Sequence, residues 1–133
     1  MAAEYELQIL FCAVLLGLIQ LLLSFLPALA TRGFPWALGP RDDSGAALGK
    51  IGGRLERAYH NFLETFPFFA AAVLLDHALG KSTPLSVLGA QIYIWARLIY
   101  VPAYVIAIPF TRSLVWTASA VGIVLVLGAA WPG

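Results

Sequence analysis

The chain has 133 residues, 61% of them hydrophobic and 11% charged, where an ordinary soluble domain has about a quarter charged. A formal net charge of +1 leaves no field to attract nucleic acid, and a single cysteine, Cys12, excludes an internal disulfide framework and a cysteine-rich metal site. The length fits one domain, and four membrane spans of roughly 20–25 residues would use most of it, so lipid is the expected solvent.

The first apolar run, residues 7–29, ends in Ala28-Leu29-Ala30, which resembles a signal-peptidase site. It is preceded by Glu4 and Glu6 and is longer than a signal core, so it reads as a retained helix. Cys12 within it is ordinary packing, and Gln20 and Ser24, one turn apart, suit an interhelical hydrogen bond. A polar, turn-rich stretch follows from Thr31 to Gly53, with the Asp42-Asp43 pair beside Arg41 read as a solvated loop. The apolar part of the second span, Phe66 to Leu75, is too short to cross ~30 Å of hydrocarbon. The span must therefore cover residues 58–79, which draws Asn61 and Glu64 into the membrane. Asp76 and His77 fall at its far end and read as a hydrated cap, with no third ligand at metal-binding spacing.

Gly80 to Pro84 forms a tight turn, span three covers residues 85–108, Pro109-Phe110-Thr111 turns again, and span four covers residues 112–131. Pro67 and Pro102 lie inside spans two and three. Trp36 and Trp131 are the best placed of four tryptophans to anchor at the interface. Arg32, Arg41, Lys50, Arg54 and Arg57 crowd the first loop and its approach to span two, Arg112 lies at the third loop, and Lys81 stands alone opposite. The positive-inside rule then puts the first and third loops in the cytoplasm.

The charged residues fall in phase. Arg54, Arg57, Asn61 and Glu64 occupy an arc of roughly 80° on helix two, and Tyr93, Arg97, Tyr100 and Tyr104 one of about 60° on helix three. An arginine at mid-bilayer costs roughly 2.5–3.5 kcal/mol, so these stripes face protein or a cavity rather than lipid. Counted from the cytoplasmic ends, Glu64 and Tyr104 lie within about 10 Å of the surface and Arg97 ~16 Å in, depths that one cavity can share. Three readings stand. The stripes form a structural ion-pair network of Arg57, Glu64 and Arg97; or a site for an anionic molecule, whose carboxylates suit surplus guanidinium forks; or a proton or ion path, disfavoured by the single carboxylate. His60, beside the stripe, reads as an interfacial residue.

At these residues the sequence resembles the MAPEG family, the membrane-associated proteins in eicosanoid and glutathione metabolism. Arg54-x-x-Arg57-Ala58-x-x-Asn61-x-x-Glu64-x-x-Pro67 is similar to that family's second-helix signature, and Ala96-Arg97-Leu98-x-Tyr100-x-x-x-Tyr104 to its third. Arg32-Gly33 and Gly39-Pro40-Arg41-Asp42 look like the bacterial branch, whose members would sit in the inner membrane. The resemblance implies an all-α integral membrane protein, a four-transmembrane-helix bundle assembled as a homotrimer with sites between subunits. It implies that Arg54, Arg57, Asn61, Glu64, Arg97, Tyr100 and Tyr104 hold glutathione as cosubstrate. Arg112, opening helix four, would be the catalytic arginine that activates the thiol toward a hydrophobic electrophile or hydroperoxide. The family also includes a non-enzymatic lipid-binding partner protein, so a non-catalytic membrane module using the same cleft is the alternative.

Overall fold

A computed structural model describes residues 1–132. The elements are α1 (Ala2–Arg32), the short α2 (Phe34–Leu38), α3 (Lys50–Leu79), α4 (Pro84–Val105) and α5 (Thr111–Ala129). All but α2 are long and apolar enough to cross a membrane. Each of the four buries a minority of its residues inside the chain, and Phe11, Leu22, Leu26 and Trp95 stand more than half exposed. Such a surface is tolerated where hydrocarbon or another protein covers it. α1 and α3 exceed the expected spans because their ends continue into the interface: 31 residues of α1 rise ~46 Å, well beyond the ~30 Å of hydrocarbon; α4 and α5 instead stop short of the expected ends at 108 and 131, at Val105 and Ala129.

Local chemistry sets the helix ends. Gly80 takes the left-handed conformation (φ 65°) that closes α3, with the Lys81 N–H returning to the Asp76 carbonyl at 3.0 Å. Thr83 then caps α4: the Ser86 N–H donates to its hydroxyl, the Ser86 hydroxyl accepts from the Thr83 N–H, and Pro84 occupies the first helical position. Pro27, Pro67 and Pro102 all lie within unbroken helices.

All four long helices supply the core, in which Ala13, Phe69, Val73, Ala90, Tyr93 and Val126 are buried together. Phe69 and Tyr93 stack with ring centroids 4.0 Å apart. α4 and α5 meet backbone to backbone, since a Cβ at Gly122 would lie 2.6 Å from the Gly89 carbonyl oxygen and one at Gly89 equally close to that of Gly122. Without lipid-excluding hydrophobicity to drive helices together, small residues permit this approach and its dispersion gain.

The turn from α4 to α5 is tightly wound. Ala107 and Phe110, neither of them glycine, both have positive φ (62° and 64°). Hydrogen bonds from the Ala107 N–H to the Tyr104 carbonyl and from the Ile108 N–H to that of Ala103 hold the turn, and the Thr111 hydroxyl donates to the Ile108 carbonyl at 2.6 Å. Left-handed conformations in such residues cost of order 1–3 kcal/mol each and persist where the surroundings over-determine them. Here they start α5 so that Arg112, its second residue, turns toward α3 and α4.

Candidate functional site

The two polar stripes face one another. The Arg97 guanidinium, 1% exposed, donates to the Asn61 side-chain oxygen at 2.7 and 2.8 Å, to the Asn61 carbonyl at 3.0 Å and to the Thr65 hydroxyl at 2.9 Å. Thr65 also shares a 3.1 Å hydrogen bond with the Tyr93 hydroxyl. Nearer the loop end, Arg57 Nε donates to the Tyr104 hydroxyl at 3.0 Å, and Arg54 Nη1 donates to the Val105 carbonyl at 2.8 Å. These contacts fasten the start of α3 to the end of α4. The partners are neutral, so the clamp is a set of charge-assisted hydrogen bonds rather than the ion-pair network of Arg57, Glu64 and Arg97 that the residue types also allowed.

Against this clamp a cavity of about 200 Å³ opens, lined by Arg57, His60, Asn61, Glu64, Tyr100, Tyr104 and Arg112. The structure thus brings together six of the eight expected site residues. Arg54 and Arg97 are not in the lining: the first ties down the α4 terminus, and the second is consumed by Asn61 and Thr65 behind the wall. His60, read from sequence as interfacial, belongs to the lining. Thr65 was missed, although it falls one helical turn beyond Asn61 on the same face.

Electrostatically the cavity presents two guanidinium groups and one carboxylate. Arg57 spends Nε on Tyr104, which leaves its terminal nitrogens as the fork that grips a carboxylate. Arg112 is exposed at the N-terminal end of α5, whose N-cap residue Phe110 supplies no side-chain cap, so the positive end of the helix dipole adds to its charge. Beside the cavity, sharing Glu64, an apolar groove runs between α3 and α5 past Phe68, Trp116 and Val124.

The opposite end of the bundle holds a second polar cluster that the sequence did not announce. Glu6 is fully buried and accepts from the Ser82 hydroxyl at 2.9 Å and from that of Ser86. Asp76 faces it, also fully buried, with neither oxygen partnered among the described residues. The hydrated cap expected at Asp76 is therefore replaced by an internal carboxylate, because α1 extends far enough to cover it. The expected bond of Gln20 is not formed among the described residues: its side chain is buried with neither polar atom partnered there.

No curated protein and no solved structure matches the chain. Among protein families, residues 9–131, nearly its whole length, match the MAPEG family. Four membrane-length helices, the α3–α4 polar clamp and this match agree: the chain is an integral membrane protein belonging to the MAPEG family.

Proposed function

We propose that the chain is a glutathione-dependent membrane transferase or peroxidase acting as a homotrimer, with Arg112 activating the thiol for attack on a hydrophobic electrophile or hydroperoxide. The observation that carries this reading is the placement of Arg112 on the same cavity as Arg57, Glu64, Tyr100 and Tyr104. The family's members include glutathione transferases and peroxidases.

The lining fits the tripeptide by charge. Glutathione has two carboxylates, matched by guanidinium groups, and one ammonium, matched by Glu64; Asn61 and the tyrosines add neutral hydrogen-bonding groups. By size one chain is not enough, since ligand cavities run to roughly 300–1,000 Å³ and this one encloses about 200 Å³. Closure by a neighbouring copy, in a trimer with sites between subunits, accounts for the shortfall. Arg54 and Arg97 act in this scheme by holding α3 and α4 at the spacing the ligand needs.

A cysteinyl thiol with a pKa near 8.5 is mostly protonated at neutral pH. Arg112 and the N-terminal end of α5 both favour the thiolate, and lowering that pKa by ~2 units takes ~2.7 kcal/mol of preferential interaction. The apolar groove past Phe68 and Trp116 offers the electrophile a path from the bilayer. The site lies at the loop end richest in arginine, which the positive-inside rule places in the cytoplasm, in a bacterial inner membrane for a bacterial member.

Calorimetry of the purified protein with glutathione tests the binding: saturation below ~10 mM is expected, and its absence removes the reading. With binding established, Arg112→Ala should keep most of the affinity and lose the near-ultraviolet absorbance of bound thiolate. Retained absorbance would assign Arg112 another role. Binding without turnover of halogenated nitrobenzenes or lipid hydroperoxides would favour the non-catalytic lipid- or partner-binding module.

A further inference from the structure

A second cavity, of about 220 Å³, lies along α1 between it, α2 and Glu56 of α3, and touches none of the residues lining the Arg112 cavity. Its polar rim is built around Trp36 of α2. Arg32 and Arg41 stand over the indole with guanidinium carbons 4.8 and 5.0 Å from the ring centroid. The ring itself is pinned by hydrogen bonds from Nε1 to Asp43 Oδ1 at 2.8 Å and to the Asp43 carbonyl at 3.1 Å. Asp43, expected to be free in a solvated loop, is therefore part of the frame.

The loop is shaped to present both arginines. Arg41 takes a left-handed backbone (φ 58°), and its side chain folds back to donate from Nε and Nη2 to the Ala37 carbonyl. Arg32 uses Nε on the Ala46 carbonyl. Gly45 also has positive φ, and a Cβ there would lie 2.9 Å from both the Arg32 side chain and the Trp36 ring, so the loop closes over the pair only because this residue is glycine. The terminal nitrogens of Arg32 and Nη1 of Arg41 are left for an outside acceptor, and Glu56 is the one acidic residue in the lining. From this rim the cavity continues along α1 past Phe25 to Leu21, 43% and 42% exposed on the surface of the chain.

We infer that this cavity binds one anionic phospholipid, its phosphate between Arg32 and Arg41 and an acyl chain along Leu21 and Phe25. Charge and depth together select this occupant. A soluble anion would leave the apolar half empty, and with two guanidinium groups against the one carboxylate of Glu56 the lining carries surplus positive charge, which an anionic headgroup matches and a net-neutral one does not. By the positive-inside assignment the rim meets the leaflet that carries anionic lipid. The lipid would tether the long first loop to α1, at the entry to α3.

The test is lipid retention by the full-length protein, delipidated in a non-ionic detergent, given phosphatidylglycerol or phosphatidylcholine, and read by native mass spectrometry. Phosphatidylglycerol should be retained selectively, and the double variant Arg32→Gln with Arg41→Gln should lower its retention about 30-fold, the effect of two basic side chains at a membrane surface. Glu56→Gln, which removes the acidic member of the lining, should raise retention about 5-fold. Equal retention of the two lipids, unchanged retention in the double variant, lower retention in Glu56→Gln, or displacement by millimolar inorganic phosphate would each overturn the inference.

Discussion

The clamp between α3 and α4 makes an asymmetric prediction. Asn61→Leu and Arg97→Met remove the two ends of the same contacts, yet they leave different things behind. Without the Asn61 side chain, a guanidinium that is 1% exposed loses two of its four hydrogen bonds, and its Nε already has no partner among the described residues. Both are to the lost amide oxygen; the bonds to the backbone carbonyl at position 61 and to the Thr65 hydroxyl remain. Each hydrogen bond to a charged group is worth ~1.5–3 kcal/mol, so the two lost here cost about 3–5 kcal/mol. Without Arg97 the residue left is neutral: one amide oxygen short of a donor, and a Thr65 hydroxyl that keeps Tyr93 and the Phe62 carbonyl. An unsatisfied neutral group costs ~1–3 kcal/mol, and removal of the buried charge itself offsets part of that. Asn61→Leu should thus be the more damaging by about 2 kcal/mol, and the double variant should be less damaging than the sum of the two by at least ~1.5 kcal/mol. Equilibrium unfolding in mixed micelles, titrated with dodecyl sulfate, measures all three. Arg97→Met being the worse of the two, or additivity within ~0.5 kcal/mol, would refute the clamp.

Two other perturbations follow from packing and from burial. Gly122→Ala should destabilise by about 1–3 kcal/mol in the same unfolding assay, because its methyl would lie 2.6 Å from a backbone oxygen of α4 that no rotamer change can move; a neutral effect would mean that α4 and α5 slide apart freely. Asp76→Asn should raise the thermal midpoint, since the amide removes one of two facing buried carboxylates and can donate to Glu6, relieving about 1–3 kcal/mol; a lowered midpoint would show that the Asp76 carboxylate has a partner worth keeping.

Much of this protein was legible in one dimension, for a physical reason. Hydrocarbon forbids unsatisfied backbone, so apolar runs of membrane length become helices, and the cost of a buried charge turns each arginine into a statement about which face is inside. Phase then does the rest: spacings of three and four put Arg57, Asn61 and Glu64 opposite Arg97, Tyr100 and Tyr104, and these stripes do meet. Distances along a helix determine faces, and faces were enough to find the cavity.

Which member of a stripe reaches the cavity and which is spent behind it depends on contacts across helices, and these are invisible to periodicity. Arg54, Arg57 and Arg97 look equivalent in the sequence, yet only Arg57 lines the cavity. The left-handed turn at Ala107 and Phe110, with no glycine to mark it, decides where α5 begins and so where Arg112 points. Glu6 and Asp76 lie 70 residues apart and became one cluster only when α1 packed over the end of α3. Sequence determined the solvent, the helices and their faces, because those follow from local composition and spacing. The tertiary structure alone decided which charges are consumed and which are offered, because that is settled by partners distant in the chain.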